Sequence, residues 1–140
     1  MLRTVFLTAI TTGSLAACNH LPTNKVAKAL TENTGTKQDS SCGYSPANGI
    51  SMYYEIHGQG ATLVLIHGGG STIQTSFGRI LPNLAKGRKV LAIELQGHGH
   101  TLDRNTPETF EQDADDVAAV LHHLKIEKAD FFGFSNGGKR

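Results

Sequence analysis

From residue 49 onward the hydrophobic positions fall into two rhythms, whereas residues 19–45 follow neither. Ile50, Met52, Tyr54 and Ile56 alternate with Ser51, Tyr53 and Glu55, a period of two that predicts a half-buried strand, and His57-Gly58-Gln59-Gly60 supplies the turn after it. Residues 62–66 and 90–93 are continuous apolar runs too short for helices, as is the stretch 129–134. All three are expected as strands covered on both faces. Between the first two, Phe77, Ile80, Leu81 and Leu84 share one face of a helix expected over 76–86, with Pro82 kinking it or shifting its start. Thr109-Phe110-Glu111-Gln112 reads as a capping box. It opens a helix whose apolar stripe is Phe110, Ala114, Val117, Leu121 and Leu124, while Asp113, Asp115, Asp116, His122 and Lys125 fall elsewhere. Adjacent His122 and His123 are read as solvated helix residues. Strands alternating with helices of this length imply βαβ units, so the expected class is α/β with a mostly parallel sheet and right-handed crossovers.

The chain before this pattern is of another kind. Arg3 is followed by a mostly apolar stretch from Val5 to Ile10 and then by small residues leading to Leu15-Ala16-Ala17-Cys18, the order of a secretory signal. Leu-Ala-Ala-Cys resembles the lipobox of bacterial lipoproteins, which implies cleavage after residue 17 and acylation of Cys18. Asn19 after the cysteine implies the outer membrane, on its periplasmic face. The apolar run is well short of the roughly 20 residues that span a bilayer. Residues 18–47, rich in Asn, Thr, Lys, Ser and Gln, are expected to form a flexible polar tether, because they offer too little apolar surface to offset the entropy of ordering them. Cys42 within it is read as a small, exposed or half-buried residue. The folded domain is then expected over 48–140.

Composition narrows the field only slightly. Thirteen basic against 12 acidic residues give no charged surface for nucleic acid. Two cysteines, neither in a C-x-x-C pair, exclude a disulfide scaffold or a zinc ribbon.

The chemistry gathers at three strand ends. Gly133-Phe134-Ser135-Asn136-Gly137 is a G-x-S-x-G directly after a predicted strand. Such a strand-to-helix turn strains the serine backbone, exposes Oγ, and needs small residues on either side for close approach. The Asn136 amide then lies where unpaired donors stabilise a developing oxyanion. His67-Gly68-Gly69-Gly70 follows the first apolar strand, and its glycines let backbone N–H groups converge, as an oxyanion hole or a phosphate nest requires. A phosphate loop of the Walker type needs Gly-Lys before Ser or Thr, and that lysine is missing. Gly97-His98-Gly99-His100 follows the next strand and reads as a glycine-shaped turn; a metallohydrolase spacing is not met, since Asp103 is three residues on with no histidine close behind it.

Together these residues resemble the N-terminal half of the α/β-hydrolase fold over residues 49–138. His67-Gly68-Gly69-Gly70 matches the family's oxyanion loop, Gln96-Gly97-His98-Gly99 its R-G-x-G turn with Gln in place of Arg, and Gly133 to Gly137 its nucleophile elbow. The resemblance implies a serine hydrolase acting on a small ester or related acyl substrate, with Ser135 as nucleophile and the amides of Asn136 and Gly69 as oxyanion donors. No cofactor is implied. In this family the acid and the histidine of the triad follow the serine, yet His20, His57, His67, His98, His100, His122 and His123 all precede Ser135. The expectation is therefore an incomplete fold and a truncated chain, inactive as it stands, with Phe131, Phe132 and Phe134 left uncovered. The alternative is a non-catalytic lipoprotein or pseudoenzyme serving as a binding or assembly module.

Overall fold

The computed structural model describes residues 40–138. Within them a single sheet runs in the order β1 (Ser40–Ala47), β2 (Ile50–His57), β4 (Lys89–Ile93), β3 (Thr62–Ile66), β5 (Asp130–Gly133). β1 pairs with β2 and β2 with β4 in antiparallel fashion, whereas β3 lies parallel to both β4 and β5. The parallel half, built from two strand-helix-strand units, is the half that carries the motifs.

β1 corrects the expected tether: residues 40–47 are a strand, so the folded unit begins at least eight residues before position 48. Its sequence hides the strand because Ser45 and Ala47, the inward residues, are small, and Pro46 is tolerated only at a sheet edge. The two-residue turn Asn48-Gly49, both at positive φ (44° and 94°), closes it onto β2, as the right-handed twist of a hairpin demands. Cys42 sits half-buried in β1. The expected signal segment, Cys18 and the rest of the expected tether lie outside the described residues.

The helix expected over 76–86 is instead two short ones, α1 (Ile73–Phe77) and α2 (Leu81–Leu84). Thr72 caps α1 with a reciprocal Thr72–Thr75 box, Gly78 ends it, and Pro82 sits in the first turn of α2, where its missing N–H costs nothing. α3 (Phe110–His123) starts where expected, with Thr109 Oγ1 accepting from the Gln112 amide at 3.1 Å. The other half of that box is not formed, because Gln112 Nε2 donates to Asp116.

Alternation along the strands sorts two cores. Leu91, Ile93, Val64 and Met52 face α3 and meet Val117 and Val120. Val90, Ala92 and Leu65 face the other way and meet Ile73, Phe77 and Leu81. Burying each of these large side chains contributes about 1.5 to 3 kcal/mol, which fixes the register of the three parallel strands. β5 lacks the double cover that its apolar run suggests, and Phe131, Phe132 and Phe134 are left uncovered as expected of the incomplete fold, 55%, 49% and 63% exposed.

Candidate active site

Register brings the three motifs to one level. Ile66 of β3 is the partner of both Ile93 of β4 and Gly133 of β5, so the loops beginning at His67, Glu94 and Phe134 all leave the sheet from a single row at the C-terminal ends of parallel strands. This is the edge at which open α/β sheets bind ligands.

Ser135 stands at φ 53°, one of three described non-glycine residues at positive φ, and its side chain is exposed. The 3₁₀ turn Ser135–Gly138 follows at once. What holds the serine in this sparsely populated conformation is contact on both sides. A Cβ on Gly133 would lie 1.9 Å from the Gly137 carbonyl oxygen, and one on Gly137 would lie 2.3 Å from the Ile66 oxygen and 2.8 Å from that of His67. Since all of these neighbours are backbone, only glycine fits at either position, and the strain at Ser135 is imposed by the closed turn around it.

The loop 67–70, the expected oxyanion loop, lies against that turn. A Cβ on Gly68 would meet Cβ of Ser135 at 3.1 Å, and one on Gly69 would meet Nδ2 of Asn136 at 2.8 Å. The Gly68 carbonyl is fixed by two donors, Ser71 Oγ at 2.6 Å and His67 Nδ1 at 2.8 Å. No peptide bond among the described residues is cis, so the Gly69 N–H points opposite that carbonyl, away from Ser71 and His67. Gly70 is different, because its N–H is already given to His98 Nε2 at 3.0 Å.

Both loop histidines are thus structural ties of one tautomer. His67, fully buried, accepts the Leu95 N–H at Nε2 (3.0 Å) and carries its hydrogen on Nδ1 toward Gly68. Burial is the main cause that holds its imidazole below the usual range and hence neutral. His98 repeats the pattern, accepting from Gly70 at Nε2 and donating from Nδ1 to the Gln96 carbonyl at 2.7 Å. The two rings lie 4.9 Å apart. Of the other histidines, His57 bonds Glu55 and His100 bonds Glu94, while His122 and His123 are exposed near the end of α3. Among the described residues no imidazole hydrogen-bonds Ser135 Oγ, so residues 40–138 bring together the expected nucleophile and oxyanion loop without a base.

Three buried carboxylates escaped the sequence reading, Glu94, Asp113 and Asp116, of which the first and last are the most enclosed. Glu94, at the end of β4, accepts from the Ile73 and His100 amides and from His100 Nδ1, and a Cβ on Gly99 would lie 2.2 Å from its Oε2. It shapes the turn that presents His98. Asp116, fully buried, is held by Arg104, Asn48 and Gln112. A sequence signal existed for neither beyond a charged residue beside an apolar run. Gln96, in the arginine position of the family's turn, donates to Asp103 at 2.7 Å and to the Thr106 carbonyl.

Comparison with known proteins agrees with this geometry. The sequence profile described as alpha/beta hydrolase fold matches residues 61–139. The chain belongs to the alpha/beta hydrolase fold family. Within it, the chain is 38% identical over 97 residues to the human serine hydrolase BPHL, covering 65% of this chain and 33% of that protein. It is 35% identical over 96 residues to the 2-hydroxymuconate semialdehyde hydrolase of Pseudomonas sp. (strain CF600), covering 66% and 34%. The crystal structure of the enol-lactonase from Burkholderia xenovorans LB400 superposes with a TM-score of 0.66 at 32% identity, over 69% of this alpha/beta hydrolase chain and 38% of the lactonase. The chain spans about a quarter to a third of the length of the curated relatives it matches.

Proposed function

We propose that the protein is a serine hydrolase that transfers the acyl group of a small ester, lactone or related carbonyl substrate to water through Ser135. The observation that carries this is the strained, exposed Ser135 wedged between Gly133 and Gly137 and set directly against the Gly68–Gly69 peptide. In the first step Ser135 Oγ attacks the carbonyl carbon and loses its proton to a general base, the carbonyl electron pair moving onto oxygen. The amides of Gly69 and Asn136 receive that oxyanion. Its collapse expels the alcohol or enol, and water releases the acyl group by the reverse sequence. In the family's chain order the base and its acidic partner would follow Ser135. The hydrolases named among the relatives, together with the enol-lactonase, support small carbonyl substrates as the class.

We further propose that the chain is exported and anchored through lipid on Cys18, on the strength of the Leu15-Ala16-Ala17-Cys18 sequence behind an apolar run. The catalytic proposal is tested by hydrolysis of p-nitrophenyl acetate with the protein isolated from its own cells. Ser135→Ala is expected to abolish the burst of nitrophenol; a burst that survives the substitution sinks the assignment.

A further inference from the structure

The two histidines tied to the oxyanion loop differ in how they meet protons. His67 is buried without exposure, whereas His98 is partly exposed on its turn. His98 spans the gap between two backbones: its Nδ1–H reaches the Gln96 carbonyl at 2.7 Å, and its Nε2 accepts the Gly70 N–H at 3.0 Å. Gly70 takes this orientation at φ 69°, in a loop of consecutive glycines with little stiffness of its own. The peptide that follows Gly69 is therefore oriented by an acceptor on another strand end. A proton on Nε2 replaces that acceptor with a donor and sets N–H against N–H.

We propose that His98 is a positioning residue that holds the Gly69–Gly70 peptide, the far side of the Gly69 donor, in place only while its imidazole is neutral, so that acid releases that peptide. This rests on the reading of Gly69 as an oxyanion donor. Charged and titratable groups around the tie come from three elements. The His67 ring, at the end of β3, is 4.9 Å away and neutral. On α3, Asp113 is the carboxyl whose ionisation a charge on His98 favours. Glu94 and Glu108 act on His67, and Glu108 also acts on Asp113.

The test is an NMR titration of the protein labelled with ¹⁵N-histidine and ¹⁵N-glycine, from about pH 8 to about pH 5, where imidazoles change charge. His98 is expected as the Nδ1–H tautomer at the alkaline end, and the Gly70 amide resonance is expected to shift with the same midpoint as the His98 ring. In His98→Gln, whose Oε1 accepts a hydrogen bond but does not titrate, the Gly70 amide should keep its alkaline position throughout. In His98→Phe it should lose that position at every pH. A Gly70 amide that ignores the His98 titration, or that still steps in His98→Gln, overturns the proposal, and the wild-type titration alone decides it if either variant does not fold. Asp113→Asn should leave the step in place; disappearance of the step would transfer the role to Asp113 and overturn the assignment to His98. The spectra do not depend on catalysis. An unreactive Ser135 with a tied Gly70 sinks the proposed function alone, and a reactive Ser135 with an untied Gly70 sinks the tie alone.

Discussion

Three neighbouring glycines allow the steric basis of the elbow to be tested quantitatively. Gly133, Gly137 and Gly138 are none of them at positive φ, so replacement by alanine does not force a forbidden backbone angle at any of them. What separates them is the room for one methyl group. At Gly137 the new Cβ would be 2.3 Å from a backbone oxygen, and at Gly133 it would be 1.9 Å from one. At Gly138 the nearest atom is 3.5 Å away, an ordinary contact. Overpacking against a backbone that cannot yield costs about 1 to 3 kcal/mol or more. A tolerated Gly→Ala gains about 0.4 to 1 kcal/mol from the stiffer unfolded chain. Both variants share that gain, so Gly137→Ala should lie at least about 1 kcal/mol below Gly138→Ala in stability, the cost of the overpacking alone. For a domain of this size that corresponds to a difference in Tm of at least roughly 4 to 8 °C. Thermal unfolding followed by circular dichroism, with a urea titration for the free energy, measures the gap. Equal melting of the two variants would refute the close packing of the turn on the end of β3, and with it the account of why Ser135 is strained.

Gly69→Val should lower turnover by at least about tenfold, given that loss of one oxyanion donor typically costs about 10² to 10³. Its Cβ meets the end of the Asn136 side chain rather than backbone, so melting should stay within a few degrees; an unchanged turnover would move the donor to Gly68, since the Gly70 N–H is engaged by His98. Asp113 has its carboxyl raised to about 6, chiefly by burial and then by Glu108 and Asp116. The folded state thus binds a proton that the unfolded state does not between about pH 4 and about pH 6. Stability from this group grows as pH falls through 6, and its ionised form is a cost above that. Asp113→Asn should accordingly be more stable than the parent at pH 8 by about 1 to 3 kcal/mol and flatter between pH 4 and 6 in urea titrations; a less stable variant at pH 8 contradicts the sign. Cys18→Ser should abolish detergent partitioning and the acyl mass increment. Because one sulfur cannot carry both a diacylglyceryl thioether and a disulfide to Cys42, an intact mass showing that disulfide refutes the anchor.

The parallel half of the sheet was legible because its strands are apolar runs bounded by glycine, and the tight strand-end turn at Ser135 because a serine flanked by glycines there has few structural alternatives. β1 was not, since its buried positions are Ser45 and Ala47, which carry no hydrophobic rhythm. The Asn48-Gly49 pair, a strong hairpin signal, was the available clue. The 76–86 helix failed because four apolar residues at helical spacing do not reveal where a chain breaks; the breaking residues were Gly78 and Pro82. Glu94 and Asp116 were illegible for another reason. Their burial depends on partners up to 68 residues away, and a carboxylate's partners are a property of tertiary structure.

The central claim, that Ser135 is the nucleophile, is tested most directly by mass spectrometry. The protein isolated from its own cells is treated with a fluorophosphonate, digested, and the site of the adduct located. For a protein that supplies the triad base after Ser135, the account predicts one phosphonyl group per chain, on the peptide containing Ser135, and none in Ser135→Ala or in residues 1–140 alone. An adduct on another side chain, or a folded protein with that base that takes up none, would contradict it.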